Sequence, residues 1–349
     1  VLALPVDSPF ASRLALLGTW AKPPDNVAWA ALAISAVLVV VALLPAGPRA
    51  LASLLDFASI DDLARRRRFL LVATFVAAFL SLGYIAFYLH GGPRLDEATS
   101  YFLQGRALSH GHFAWTVPDP SASFRGRFLL FHEPDVVSGI FPPGYPLLLS
   151  VAFHAGAPMV IGPLLAAALA AATYFVTKEI ALSSRGARGA NEAEATARLA
   201  VGLSLACAAL RHHTAETLPY AASALGIALA FACALRARRT NEQDAMASFA
   251  LAGLCAGFVV ATRPTSALPI AIVILVLAFG GARRTRAVIA AALPMLPGAL
   301  FLFAAYRAST GSALTSPELA YYAASDGPPG CFRYGFGADV GCLVEHRDA

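Results

Sequence analysis

Apolar residues in this chain come in long unbroken runs separated by short polar breaks. Several runs reach the roughly 17–25 residues that an α-helix needs to cross a hydrocarbon core. The period-two alternation of a membrane barrel is absent. The pattern predicts eight membrane-crossing helices. The first covers about Ala28 to Leu44 and the second Phe69 to Leu89. The others run roughly over 159–181, 199–211, 217–235, 247–262, 266–282 and 287–306.

The longest break in the pattern lies between the second and third helices, from His90 to about Pro158. It contains the apolar stretch YPLLLSVAFHAGA, about thirteen residues and too short to span. That stretch is read as an interfacial or re-entrant helix. From Ala98 onward, Ala98, Tyr101, Phe102, Gly105 and Leu108 fall at helical spacing on one face, with Gln104 and Arg106 turned away. This predicts a second interfacial helix. The expected fold is therefore an all-α polytopic membrane protein, with interfacial helices in a long first outer loop. Three parts follow: 1–68, with one transmembrane helix and a basic loop; a transmembrane core over 69–306 that includes the loop 90–158; and a Gly-rich outer segment over 307–349.

Composition agrees. Hydrophobic residues make up 58% and charged residues 13%, against roughly 45–50% and about 25% in soluble domains. Mean hydropathy is +0.65. The net charge of +5 is a matter of topology. Arg65 to Arg68, Arg185 with Arg188, Arg236 with Arg238 and Arg239, and Arg283 with Arg284 and Arg286 occupy every second break. That is the positive-inside pattern. It puts the loops at 90–158, 212–216, 263–265 and 307–349 on the outer face, where long segments carry function. No basic stripe interleaved with aromatics is present, so nucleic acid is not an expected partner. Membrane lipids are. Only two lysines, Lys22 and Lys178, stand beside many arginines and alanines. This suggests a GC-rich bacterium and hence a plasma (inner) membrane, with the active face periplasmic or extracellular.

Cys207, Cys233 and Cys255 lie in apolar runs and read as small core residues. Cys331 and Cys342 flank a Gly-rich stretch on the outer side, where an oxidising compartment permits a disulfide.

The candidate chemistry is an acidic pair, Asp96 and Glu97, where the chain leaves the second helix. Two readings are open. Asp96 caps the short helix and Glu97 complements its dipole; or the pair supplies a general base, or carboxylates that steady a divalent metal ion beside a phosphate. Arg211, Arg263 and Arg307 sit at outer helix ends, where they either snorkel to headgroups or clamp a phosphate. Arg263 is favoured because a Thr-Arg-Pro turn joins two helices there. Arg125 and Arg127 are looser candidates. Tyr101 and Tyr145 suit both headgroup-level packing and sugar contact. His212, His213 and Glu216 in the loop HHTAET offer a possible metal set. No phosphate-cradling loop, nucleophile elbow or HExxH motif occurs.

The order of these elements resembles the GT-C superfamily of polytopic glycosyltransferases, in particular the branch of protein O-mannosyltransferases and lipid A aminoarabinose transferases. LDEATSYFLQGRAL is similar to the acidic pair, Tyr and AR-type turn that follow an early helix in that branch. FPPGYPLLLSVAFHAG resembles its Pro-Gly element and interfacial helix, PLLAAALAAATYFVTKEI its next helix, AGLCAGFVVATRPTSALP its Arg-Pro helix pair, and YRASTGSALTSPELAYY its outer loop. The resemblance covers roughly residues 69 to 325. It implies an inverting transfer of a sugar from a polyprenyl-phosphate donor to a lipid, glycan or protein acceptor. Asp96 is then the general base with Glu97 as its partner. Tyr101, Arg106, Tyr145, Arg263, Arg307 and Glu216 would bind substrate, Glu216 standing where the branch has an Arg-Pro-Asp or similar element. A divalent metal ion is a possible cofactor. Enzymes of this type continue for several more helices, and this chain begins with Val; a fragment and the product of an alternative start are the two readings left open. The alternatives from outside catalysis are a membrane transporter or lipid-handling protein, and a degenerate, non-catalytic relative.

Overall fold

The computed structural model describes residues 36–37, 62–117, 128–132, 136–184, 189–280 and 284–325. The expected first helix over Ala28 to Leu44 falls outside these residues apart from Ala36 and Val37. So do Arg125, Arg127, Arg185, Arg188, Arg283, Cys331 and Cys342.

Helix α1 (Leu63–Tyr84) is capped by the Asp62 carboxylate, which accepts from the amides of Ala64 and Arg65. It runs on through one π turn, Ile85–Leu89. Arg65 to Arg68 thus form the first turns of α1 rather than a loop. Then come α2 (Asp96–Ser109), strands β1 (Ala114–Thr116), β2 (Leu129–His132) and β3 (Val136–Gly139), and α3 (Gly144–His154). The remainder is helical: α4 (Ile161–Ser183), α5 (Ala190–Ala206), α6 (Ala208–Ala215), α7 (Tyr220–Ala237), α8 (Glu242–Thr262), α9 (Pro264–Phe279), α10 (Arg284–Ala292), α11 (Leu296–Thr310) and α12 (Pro317–Ser325).

Five helical segments are long and apolar enough to cross a membrane: Leu63–Leu89, Pro158–Ser183, Tyr220–Ala237, Glu242–Thr262 and Arg284–Thr310. The pair α5 and α6 makes a sixth if its 68° bend lies within one span. Many large apolar side chains on these helices point outward, including Leu71, Phe75, Phe79, Leu254 and Leu300. Such surface suits lipid rather than water.

Three features differ from expectation. The run 199–211 is not one helix: Cys207 has extended backbone angles and its side chain is exposed at the break. His212 and His213 belong to α6 and not to a loop. Tertiary contact holds α6 in place. A Cβ on Gly162 of α4 would come within 2.5 Å of the Thr214 carbonyl, and the Thr214 hydroxyl donates to Ser81 of α1 at 3.1 Å. Second, α9 has 16 residues with Pro269 inside it. At 1.5 Å per residue it is about 24 Å long, short of a hydrocarbon core of about 30 Å. Third, the long loop carries an antiparallel sheet in the order β1-β3-β2. Its register pairs Trp115 with Val137 and Phe131 with Val137. Strands of three or four residues leave no readable alternation.

Helices joined by short connections alternate in direction, so the arginines of the described clusters in α1, after α7 and in α10 gather at one end of the bundle. Helices α2, α3 and α12 lie at the other. At the arginine-rich end, Glu194 of α5 is completely buried. Its Oε2 accepts from Lys178 at 2.6 Å and from the Tyr174 hydroxyl at 2.5 Å, and its Oε1 from Arg198 at 2.8 Å. Arg66 of α1 stands 3.7 Å away. One carboxylate therefore ties α1, α4 and α5 together. A buried ion pair adds little over an apolar replacement, but removing one partner strands the others. We expect Glu194→Ala to cost about 3–5 kcal/mol, read as a lower thermal midpoint in detergent. An unchanged midpoint would show the network to be dispensable.

Candidate functional site

The bundle end opposite this network is built around the start of α2. Leu95 is the N-cap, with no side-chain cap bond, and Asp96 is the first helical residue. Asp96 is therefore not the cap. At about 100° per residue, Glu97 flanks the buried stripe of Ala98, Tyr101 and Gly105, while Asp96 points almost the opposite way. Accordingly Asp96 is exposed and Glu97 is half-buried.

Burial raises the Glu97 carboxyl above its ordinary value; the nearby Arg263 guanidinium pulls it back down, and Glu318 of α12 pushes it up further. Arg263 feels its charge without closing an ion pair on it. Instead the Arg263 guanidinium lies over the Tyr220 ring, 4.8 Å from its centroid, a cation–π contact. Pro264 explains the position of Arg263. It disfavours helical geometry for the residue before it, so Arg263 (φ −152°, ψ 81°) breaks the chain between α8 and α9. The Thr-Arg-Pro turn expected from the sequence thus presents its cation at the same bundle end as Glu97.

Close backbone approaches seat α2 and α3. A Cβ on Gly144 would lie 2.8 Å from the Ala261 carbonyl carbon, just before Arg263. A Cβ on Gly105 would lie 2.6 Å from Leu149 Cβ. Only glycine fits at these contacts. The Thr217 hydroxyl donates to the Ala98 carbonyl at 2.7 Å, and the Glu216 carboxylate accepts the backbone amides of Arg94 and Thr217. Burial nonetheless raises the Glu216 carboxyl, and its Oε2 has no hydrogen-bond partner among the described residues.

Several expected substrate contacts are therefore corrected. Glu216 and Tyr145 are 2% and 1% exposed and lie behind the site, where substrate has no access to them. Tyr101, 3% exposed, stacks on Phe141 at 4.3 Å and meets Tyr145 edge-on at 5.8 Å. Its ring faces are taken by protein. Burial and the Glu97 charge push its phenol well above its ordinary value, so it stays protonated. Gln104, expected to turn outward, packs on Gly139 and donates to the Phe141 carbonyl at 3.0 Å. Arg106 is exposed nine positions along α2 from Glu97, too far to share its site. Arg307 is exposed in the last turn of α11. Tyr220 and Glu318 were not legible as site residues, since only the packing of α7 and α12 brings them to Glu97.

His212 and His213 do not assemble with Glu216. His212 meets Tyr84, His213 meets Tyr220, and Glu216 is held by backbone amides. Among the described residues no three of His, Cys, Asp and Glu are grouped to hold a metal ion.

Comparison with known proteins finds no matching family model, no matching curated protein and no matching solved structure.

A raised carboxyl pKa has a definite consequence for stability. The folded state holds the Glu97 proton more tightly than the unfolded chain, so ionising it opposes folding. The penalty is absent below the ordinary value of 4.5 and full above the raised one. Glu97→Gln should therefore raise the thermal midpoint near neutral pH, with the gain shrinking to nothing as pH falls through the raised value towards 4.5. A gain independent of pH would contradict the burial of the charged carboxylate.

Proposed function

We propose that this chain is a membrane glycosyltransferase of GT-C type that moves a sugar from a polyprenyl-phosphate donor to a lipid, glycan or protein acceptor. Its active face is the bundle end bearing Glu97, periplasmic or extracellular in a bacterial plasma membrane. An eight-span topology completes the reading. The observation that carries it is the half-buried Glu97, facing a cation that it does not neutralise.

That arrangement suits displacement of a phosphate by a hydroxyl. The acceptor oxygen forms a bond to the anomeric carbon as the bond from that carbon to the phosphate oxygen breaks. The acceptor proton passes to Glu97, made more basic by desolvation. The departing phosphate takes the bonding electrons, and Arg263 holds it through a planar fork of N–H donors. Tyr220 keeps the guanidinium in place, and Arg307 is a second cation on the same face. This reading moves the base from Asp96 to Glu97, because Asp96 is solvated on the far side of the helix.

A transporter or lipid-handling protein is the second reading, favoured by the 68° break between α5 and α6, since discontinuous helices line transport sites. The two separate on turnover. With the chain in lipid nanodiscs and polyprenyl-phosphate sugars as donors, polyprenyl phosphate should be released only when acceptor is present. Glu97→Gln should lower that rate by about 10²–10⁴-fold, and Asp96→Asn should leave it within a few-fold. Arg263→Gln should weaken donor binding. Full activity of Glu97→Gln would remove the general-base assignment, and lipid movement without release would favour the second reading.

A further inference from the structure

A cavity of about 580 Å³ opens between the last turns of α2 and strand β1, at the far end of α2 from Glu97. Ligand sites typically occupy roughly 300–1,000 Å³. Arg106, His110, His112 and Thr116 supply its polar groups, and Trp115 supplies an aromatic wall. None of the described residues lining it is acidic. The Arg106 guanidinium makes no ion pair or hydrogen bond among the described residues. His110 Nδ1 stands 2.9 Å from the Arg106 carbonyl and 3.2 Å from the Ser109 hydroxyl, which leaves Nε2 for a ligand.

A guanidinium with no acidic partner among the described residues selects an anion, most strongly a phosphate or carboxylate that fits its fork. A tryptophan face selects a flat, partly apolar partner with polar edges. A sugar ring offers that on its C–H face. We propose that this cavity binds an anionic saccharide, its phosphate or carboxylate on Arg106 and its ring on Trp115. Arg106 and Glu97 lie nine positions apart on one helix, about 14 Å along its axis at 1.5 Å per residue and on opposite faces at about 100° per residue, so this cavity is separate from the Glu97 site.

Calorimetry on the full chain in phosphatidylcholine nanodiscs tests the site without needing turnover. The probe is glucose 1-phosphate, with glucose and inorganic phosphate as controls. Glucose 1-phosphate should bind saturably and at least about tenfold more tightly than either control. Arg106→Gln and Trp115→Leu should each weaken it about tenfold or more, and Trp115→Phe should keep most of the affinity. Glu97→Gln should leave it unchanged, so that loss of transfer and loss of this binding are separate results. Absence of saturable binding, or equal binding by Arg106→Gln, overturns the proposal. So does displacement of the probe by phosphatidylglycerol added to the discs, which would reassign the cavity to lipid headgroups.

Discussion

Close backbone contact at small residues is the constraint on which the rest of this structure depends. Between helices in lipid, apolar side chains gain little by leaving their surroundings, and association relies on van der Waals packing and short approach. Here α8 meets its neighbours through glycine repeatedly. A Cβ on Gly253 would strike Ala291, one on Gly257 would strike Met295, and Gly298 faces the Gly257 backbone. The same helix ends against Gly144 of α3, and α3 in turn receives Gly105 of α2. Glu97 and Arg263 come to one bundle end through that chain of contacts.

The two ends of the bundle use charge differently. Glu194 is buried, and lysine, arginine and tyrosine side chains all converge on it. A carboxylate so fully occupied holds helices together and has little capacity left for a ligand. Glu97 is partly desolvated and faces a guanidinium that rests on an aromatic ring instead of on the acid. The incomplete pairing leaves this carboxylate capacity for a further partner. Glu216 is intermediate: it is anchored by backbone amides, carries an orphan oxygen, and serves to hold the entry to α2.

The apolar runs, the short helix beginning at the acidic pair and the Thr-Arg-Pro turn with its exposed arginine were all legible along the chain. Each is a local property: run length, charge placement, helical spacing, or the conformational limit set by proline. The break at Cys207 was not, because neither glycine nor proline marks it and the packing of α6 on α1 and α4 imposes it. The sheet was not legible either, since pairing of β3 with both β1 and β2 is a non-local choice made by strands too short to show a period.

The sequence by itself determined that this is a helical protein built for a bilayer, with its polar chemistry concentrated in the segment after α1. It also nominated Asp96 and Glu97 together. Only the tertiary structure separated them. Their order along α2 sets which way each points, but which direction is buried depends on where α3 and the strands β1 and β3 press against the helix. That packing put Tyr101 and Tyr145 out of reach of substrate, brought Arg263, Tyr220 and Glu318 to Glu97, and left Asp96 in solvent. Burial and charge act through distances in space, and distances between segments far apart in the chain are decided by packing.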